Sequence, residues 1–336
     1  MNNKKYFITI IWVLFFGSGS AGAASFSSLY VLGDSLSDTG ASSSSVLSIY
    51  NLFAGNCDPG HPCPPYYNGR FSNGPVAAEY LSDAINSSNY SSYAIAGSTT
   101  GIGNSGDDGS ADSLGFLLLP GMAFQRTAYM PFINTSSDAL HLVWGGANDY
   151  LTGDSASGAA YKIGSYVGDL AEEGAKNILV PNLPDLSLTP FVQSLGQSGI
   201  EAAYDFSVEF NQVLAGELSD LSALFPDTTI FRFDTFSFFN GIFQDPEAYG
   251  FTNTVDACVA LPDVCADSTG YLFWDDFHPT TQVHSIFGSA MASAVPIPSS
   301  IFLFAVGLIG LFFVNNAKRQ SHDLIYTFRT SNFGSA

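Results

Sequence analysis

The alternation of strand-like and helix-like segments is the feature that most constrains the fold of this chain. Runs of strand character lie at 28–32, 90–95, 139–144, 177–180 and 229–233, and segments with helical character lie at 156–176, 200–224 and 280–294. Strands that alternate with helices pair in parallel, and the helices then cover both faces of the sheet. The sequence therefore predicts one α/β domain over residues 25–294 with a parallel sheet at its centre.

Small and polar residues follow three of the predicted strands. Ser35 ends a Gly-Asp-Ser sequence after the first strand, Gly97 follows the second, and Asn148 follows the third. The carboxyl ends of strands in an open α/β sheet border the crevice where ligands bind. A glycine there lets a backbone N–H approach the substrate closely, and an asparagine amide can donate to an oxyanion. These positions predict a nucleophilic serine with three donors, although each motif alone is also typical of a turn or of packing.

A base for this serine is predicted near the end of the domain. Asp275 precedes His278 by three residues, so its carboxylate can accept from Nδ1 in a tight turn and leave Nε2 free for the serine proton. Pro279 is expected in the first turn of the helix that follows. Asp276 is an alternative orienting group, and His284 is an alternative base whose place inside a predicted helix favours packing. This chemistry needs no metal or cofactor.

Together these motifs resemble those of the GDSL/SGNH hydrolase family, and they occur in the same order. Ser35 matches the family nucleophile, and Gly97 and Asn148 match its second and third motifs. Asp275 and His278 match its Asp-x-x-His motif. The resemblance implies a three-layer α/β/α, flavodoxin-like sandwich around a mainly parallel five-stranded sheet. It also implies ester hydrolysis through an acyl-enzyme, with an oxyanion hole made by the N–H of Ser35, the N–H of Gly97 and the Asn148 side chain.

Three further segments resemble the lipase-like branch of this family, whose secreted members are described as phospholipase, lecithinase or hemolysin. They lie at 68–74, 182–186 and 248–251. The resemblance implies an esterase or lipase, and the apolar segments 231–243 and 114–124 either line an acyl-chain site or pack in the core. Two alternatives stay open: a carbohydrate O-acetylesterase acting on exopolysaccharide, and a non-catalytic surface or matrix protein that keeps the fold.

Both ends of the chain predict processing and export. Residues 1–23 have the positive start, short apolar stretch and small residues of a signal peptide. Residues 296–314 form an uncharged apolar segment long enough to cross a membrane. Segment 295–319 resembles a PEP-CTERM sorting signal, and a short tail, 320–336, follows it. The resemblance implies an exosortase-type sorting partner, membrane contact before processing, and secretion or surface display in a Gram-negative bacterium, or anchoring through this segment.

Four cysteines are consistent with export because disulfides form in oxidising compartments. Cys57 and Cys63 form one local pair, and Cys258 and Cys265 form another. We expect two local disulfides, with the other pairings and a four-cysteine zinc site as alternatives. The zinc alternative is weaker because neither spacing matches the short separation usual for zinc ligands.

The predicted domain is strongly acidic. Between residues 24 and 298, five lysines and arginines stand against 29 acidic residues, a net charge of −24. Such a surface repels nucleic acid and anionic membranes, so nucleic acid is not expected as a partner.

Two glycine- and serine-rich segments, 41–75 and 101–115, are predicted loops. The second is expected to be exposed. Its acidic pair, Asp107 and Asp108, is either solvated or, as a weaker alternative, a calcium ligand set.

Overall fold

The structure, a computed structural model, describes residues 26–295. The predicted signal peptide, the predicted sorting segment after residue 295 and the 320–336 tail lie outside the described residues. Within residues 26–295, none of the helices has both the length and the apolar character that crossing a membrane requires.

Five parallel strands form the central sheet, in the order β2-β1-β3-β4-β5. They are β1 (Ser28–Gly33), β2 (Asn89–Ser92), β3 (Ala139–Trp144), β4 (Asn177–Pro181) and β5 (Thr229–Phe233). This is the flavodoxin-like strand order. The predicted five-stranded parallel sheet is confirmed.

Helices cover both faces of the sheet and complete three layers. They are α1 (Ile49–Leu52), α2 (Ala77–Ala84), α3 (Met122–Tyr129), α4 (Ala147–Leu151), α5 (Ala156–Glu172), α6 (Pro190–Ser194), α7 (Gln197–Leu224), α8 (Thr235–Gln244) and α9 (Thr281–Ala294). Helices α2, α8 and α9 pack on one face, and α3, α5 and α7 pack on the other.

Strand side chains alternate between these two layers. On β1, Leu29 and Val31 pack with α2 and α9, whereas Leu32 packs with α5 and α7. Successive side chains on a strand point to opposite faces. Because both faces of a covered parallel sheet are buried, its strands read as continuous apolar runs. This burial explains why the strand at the start of the domain is visible in the sequence.

Helix α2 lies in a region where the sequence predicts no element. It packs against α9, and a Cβ added at Gly288 of α9 would lie 2.5 Å from Cβ of Tyr80. Because the two helices approach so closely, a side chain at Gly288 would push them apart. The contact joins an early segment of the domain to its last helix.

Two short strand pairs precede the last helix. Strand β6 (Asn253–Ala257) pairs with β9 (Tyr271–Phe273), and β7 (Val259–Ala260) pairs with β8 (Asp263–Val264). Helix α9 begins after its cap, Thr280. Pro279 therefore precedes the cap, and the expectation that it lies in the first helical turn is wrong.

The loop at 101–115 is packed more tightly than its composition predicts. A Cβ at Gly103 would lie 2.0 Å from the carbonyl oxygen of Ser113. Asp107 is buried, and its Oδ2 accepts the N–H groups of Leu117 and Leu119 at 2.9 and 3.0 Å. Asp107 therefore holds the loop in place, which argues against its alternative role as a calcium ligand.

Candidate active site

A sharp turn after β1 presents Ser35 to a cavity. A Cβ at Gly33 would lie 2.6 Å from the carbonyl oxygen of Trp144 on β3, so only glycine fits there. The buried amide of Gln125 bonds the N–H and the C=O of Gly33 at 2.9 and 2.8 Å. These contacts fix the carboxyl end of β1. Ser35 follows directly and lines the cavity.

Ser35 lies in direct contact with the predicted base. Its Oγ is 2.8 Å from Nε2 of His278, and Nδ1 of the same ring is 2.9 Å from both carboxylate oxygens of Asp275. The chain makes a tight turn from Asp275 to His278. This turn is closed by the N–H of Trp274, which donates to the carbonyl of His278 at 2.7 Å. The structure thus brings the predicted triad together in the order that moves a proton away from the serine.

The carboxylate of Asp275 is buried and fully engaged. It accepts the N–H groups of Phe277 and His278 at 2.9 and 2.7 Å, and the hydroxyl of Tyr66 at 2.8 Å. Burial raises the pKa of Asp275, but the charge and hydrogen bonds of His278 and the Phe277 N–H outweigh burial and lower it to about 2. The group is therefore ionised at neutral pH and can stabilise an imidazolium. The sequence alone did not reveal Tyr66.

The two alternative residues do not join this arrangement. Asp276 is exposed, and its backbone carbonyl accepts the N–H of Phe191. His284 is buried in α9, where its Nδ1 accepts the N–H of Ala77 at 3.1 Å. Burial lowers the pKa of His284 to about 3. It therefore packs as a neutral side chain away from the cavity.

The three predicted oxyanion donors line one cavity. The N–H groups of Ser35 and Gly97 donate to no other group of residues 26–295. The amide nitrogen of Asn148 donates one hydrogen to the carbonyl of Ser98 at 3.0 Å. An asparagine amide has two hydrogens, so one is left for a ligand. The arrangement can bind a developing negative charge, and the assignment of these residues as catalytic stays a prediction.

Position 97 accommodates only glycine. Its φ is +76°, and an added Cβ would lie 2.2 Å from Oδ1 of Asn104. Asn104 in turn donates to the carbonyl of Ala96 at 2.8 Å. The backbone N–H of Gly97 is therefore held in a left-handed turn by a neighbouring side chain.

Ser105 links two of the donors, and the sequence analysis did not single it out. Its hydroxyl lies 2.9 Å from Oδ1 of Asn148 and 3.1 Å from the carbonyl oxygen of Gly97. Its N–H donates to the same carbonyl at 2.8 Å. Ser105 therefore fixes the position of both donors relative to each other.

Two buried carboxylates tie segments of the site to one another. Asp38 accepts the N–H of Ala96, the residue before the donor glycine, at 2.8 Å. Asp149, next to the donor asparagine, accepts the N–H and hydroxyl of Thr100 at 2.9 and 2.6 Å. Burial raises the pKa of both carboxyls to about 7. The hydrogen bonds that these two carboxyls accept hold the loops in position.

A disulfide-closed loop borders the cavity, whose volume is about 960 Å³. Disulfides Cys57–Cys63 and Cys258–Cys265 are both formed, which confirms the local pairing and rules out the zinc alternative. The first disulfide closes a loop whose Asp58 and His61 side chains lie 2.5 Å apart and line the cavity. The ring of His61 also packs on Phe71, with 4.2 Å between centroids.

One group among the described residues has the chemistry of metal ligands. Donor atoms of His61, Asp275 and His278 lie within 4.8 Å of one another. The oxygens of Asp275 already accept the hydrogen bonds described above, and Nδ1 of His278 is engaged with them. The acid–base arrangement accounts for this cluster without an ion.

Both apolar segments noted in the sequence contribute to the cavity wall. From 231–243, Phe239 belongs to the core and also lines the cavity. From 114–124, Leu117 and Leu119 line it. The wall is therefore largely apolar, and polar side chains such as Ser35 make up the rest of it.

Comparison with known proteins gives a match over nearly all of the described residues. A family model described as GDSL-like lipase/acylhydrolase matches residues 29–291. The chain is 27% identical to the phosphatidylcholine-sterol acyltransferase of Aeromonas hydrophila, over 87% of this chain and 97% of that protein. It is 27% identical to the thermolabile hemolysin of Vibrio parahaemolyticus, over 77% of this chain and 62% of that protein. Among solved structures, a G-D-S-L family lipolytic protein from Veillonella parvula is 12% identical, with a TM-score of 0.43, over 80% of this chain and 97% of that chain.

Proposed function

Because the chain belongs to the GDSL-like lipase/acylhydrolase family, we propose that it is an exported ester hydrolase that forms its acyl-enzyme on Ser35. At the level of the family, the chain is a carboxylic ester hydrolase. The identity of the nucleophile, the substrate and the export of the protein belong to the proposal. The observation that carries it is the 2.8 Å contact between Oγ of Ser35 and Nε2 of His278.

The proposed reaction has two acyl-transfer steps. Nε2 of His278 takes the hydroxyl proton of Ser35 as Oγ bonds to the ester carbonyl carbon, and the carbonyl oxygen becomes an oxyanion that accepts from the three donors. The carbon–oxygen bond to the alcohol then breaks, and the imidazolium gives its proton to the leaving oxygen. Water attacks the acyl-enzyme with the same base, which releases the acid and restores the serine hydroxyl.

We propose a lipid ester with a long acyl chain as the substrate. The apolar wall described above, with Phe239 and Leu119 among its residues, supports an apolar acyl group. The name of the Aeromonas relative, which refers to phosphatidylcholine and a sterol, supports the same class. Short acetyl esters on carbohydrate make poor use of such a wall, so a preference for them would contradict this part of the proposal.

The proposal of export rests on the ends of the chain and on the cysteines. Residues 1–23 have the pattern of a signal peptide, and residues 295–319 resemble a sorting segment. Two disulfides are consistent with an oxidising compartment. Mass spectrometry of the protein isolated outside the cell tests both ends, and an intact first methionine in that protein would contradict cleavage of the signal.

A labelling and substrate-profile experiment tests the catalytic part. We expect a fluorophosphonate probe to label the wild type and Ser113→Ala, an exposed-serine control, but not Ser35→Ala. The same proteins are assayed on p-nitrophenyl esters of increasing chain length. Ser35→Ala should lose at least about 10³-fold in kcat. Labelling and turnover that persist in Ser35→Ala would reject the assignment, and an unlabelled, inactive wild type would favour the non-catalytic alternative.

A further inference from the structure

An apolar loop lies beside the mouth of the cavity. This loop, residues 114–118, carries four large apolar side chains that are exposed to solvent: Leu114 at 49%, Phe116 at 72%, Leu117 at 50% and Leu118 at 66%. Single exposed apolar residues are common on soluble proteins, whereas a contiguous group of them marks an interaction surface. The concentration of four within five residues therefore points to a partner.

The apolar loop is part of the rim of the cavity. Leu117 lines the cavity and is half exposed, and the same is true of Leu151 and Leu195, which are 39% and 47% exposed. A side chain that lines a cavity and also faces solvent lies at its entrance. Apolar side chains from three separate segments thus surround the way to Ser35.

Hydrogen bonds hold the loop with its side chains outward. The carbonyl of Asp107 accepts the N–H of Phe116 at 3.0 Å, and its buried carboxylate accepts the N–H groups of Leu117 and Leu119. Leu118 has a φ of +59°, a conformation that leucine rarely adopts. A fixed backbone of this kind keeps the loop from folding its apolar side chains back into the core, so their exposure is built into the structure.

The charge around the loop restricts the partner. No charged residue lies between Asp112 and Arg126, although residues 24–298 carry a net charge of −24. An anionic surface would repel the domain, and a zwitterionic surface would not. We propose that the apolar loop inserts into the surface of a zwitterionic phospholipid bilayer and holds the mouth of the cavity against it. Delivery of a lipid ester to Ser35 from that surface rests on the proposed function, whereas insertion does not.

Insertion is measured with a tryptophan placed in the loop of the full-length chain. We expect the fluorescence of Phe116→Trp, relative to wild type, to shift to the blue and to be quenched when vesicles of brominated phosphatidylcholine are added. Phe132→Trp is the matched control because Phe132 is equally exposed, at 70%, and does not line the cavity. The signal is local, so membrane binding by another part of the chain does not produce it.

Three results of this experiment would overturn the proposal. Absence of quenching at position 116 is the first, and equal quenching at positions 116 and 132 is the second. A blue-shifted signal before any vesicle is added is the third, because it would mean that another segment of the chain or a second copy covers the loop. Size-exclusion chromatography distinguishes these two occupants.

Vesicles of different charge test the expected repulsion between the acidic domain and an anionic surface. Vesicles that contain an anionic phospholipid should quench Phe116→Trp less at low salt, and added salt should restore the quenching because it screens the repulsion. Stronger quenching on anionic than on zwitterionic vesicles would contradict the proposal.

Kinetic measurements distinguish a failure of membrane insertion from a failure of the proposed ester hydrolysis. In Phe116→Ser/Leu118→Asn, the rate on vesicle-borne ester should fall about tenfold relative to the rate on soluble p-nitrophenyl acetate, which should not change. Phe132→Ser should change neither rate. An unchanged ratio in the loop variant would overturn insertion. A wild type that is inactive on every ester but is quenched at position 116 would overturn the proposed function alone.

Discussion

The hydroxyl of Ser105 lies 2.9 Å from Oδ1 of Asn148, at the edge of the cavity that holds Ser35. The amide nitrogen of Asn148 donates to the carbonyl of Ser98 at the same time. Together, these two contacts determine which end of the amide is the donor. A donor that is oriented before the substrate arrives needs no rearrangement when negative charge develops on the substrate's carbonyl oxygen.

Removing this orientation should slow the chemical step. We expect Asn148→Ala to lower kcat by about 10²–10³-fold and Ser105→Ala to lower it by less, with KM nearly unchanged in both. Ser105→Thr keeps a hydroxyl and should recover most of the rate. Steady-state kinetics on a soluble ester measure this, and a thermal melt of each variant serves as the control for folding. Full additivity of the two alanine changes would contradict a role for Ser105 through Asn148.

The carboxylate of Asp275 should be essential for turnover and that of Asp276 dispensable. Asparagine at position 275 can present a donor to Nδ1 of His278 and favour the wrong tautomer, so we expect a loss of about 10⁴-fold in kcat. Asp276→Asn is the matched control because its side chain is exposed one residue away. Comparable losses in the two variants would mean that the structure has the orienting residue wrong.

The two disulfides should contribute similarly to stability but differently to activity. Each closes a loop of similar length, with separations of six and seven residues, so replacing either pair by serine should lower the free energy of unfolding by about 2 kcal/mol. Only the Cys57–Cys63 loop carries Asp58 and His61 into the cavity wall. Its loss should therefore raise KM as well. Urea unfolding and ester kinetics on both variants measure this, and an equal rise in KM for the Cys258–Cys265 pair would contradict it.

His284 should make the protein more sensitive to acid. Burial lowers the pKa of its imidazole from 6.5 to about 3, so between these pH values the unfolded chain binds a proton that the folded chain does not. The stability that neutral His284 contributes is present above about pH 6.5 and is lost as the pH falls, by up to about 1.4 kcal/mol per pH unit.

The variant His284→Gln keeps an acceptor for the N–H of Ala77 and does not titrate. Urea unfolding is measured at several pH values between roughly 7.5 and 4, which covers the range over which histidine titrates. The difference in free energy of unfolding between the wild type and His284→Gln should shift against the wild type as the pH falls. A constant difference across this interval would mean that the folded state takes up the proton as readily as the unfolded chain.

The features that could be predicted from the sequence are those whose signal is local. The three central strands, β1, β3 and β4, are short and mainly apolar because both faces of the sheet are buried there. The turn from Asp275 to His278 spans three residues, and each disulfide joins neighbouring cysteines. No local pattern joins Ser35 to His278, 243 residues away. Their pairing was predicted from the chemistry of the two motifs, and the family resemblance supported it.

The remaining features depend on contacts that leave no pattern in the sequence. Ser105 is 43 residues from Asn148, and Tyr66 is 209 residues from Asp275. The glycines and aspartates of 101–115 are typical of a solvated loop, yet backbone packing and the buried carboxylate of Asp107 make that segment compact. Composition reports which residues tolerate solvent, and it does not report which hydrogen bonds replace it.

The separation of 243 residues between Ser35 and His278 has a consequence for when activity can begin. A chain still emerging from the ribosome has the hydroxyl but not the imidazole, and it lacks the last helix, α9, that packs against α2. Every partial translation product is therefore inert toward esters if the proposed mechanism holds. If the proposed lipid substrate also holds, the cell's own lipids are spared from hydrolysis until synthesis of the domain is complete.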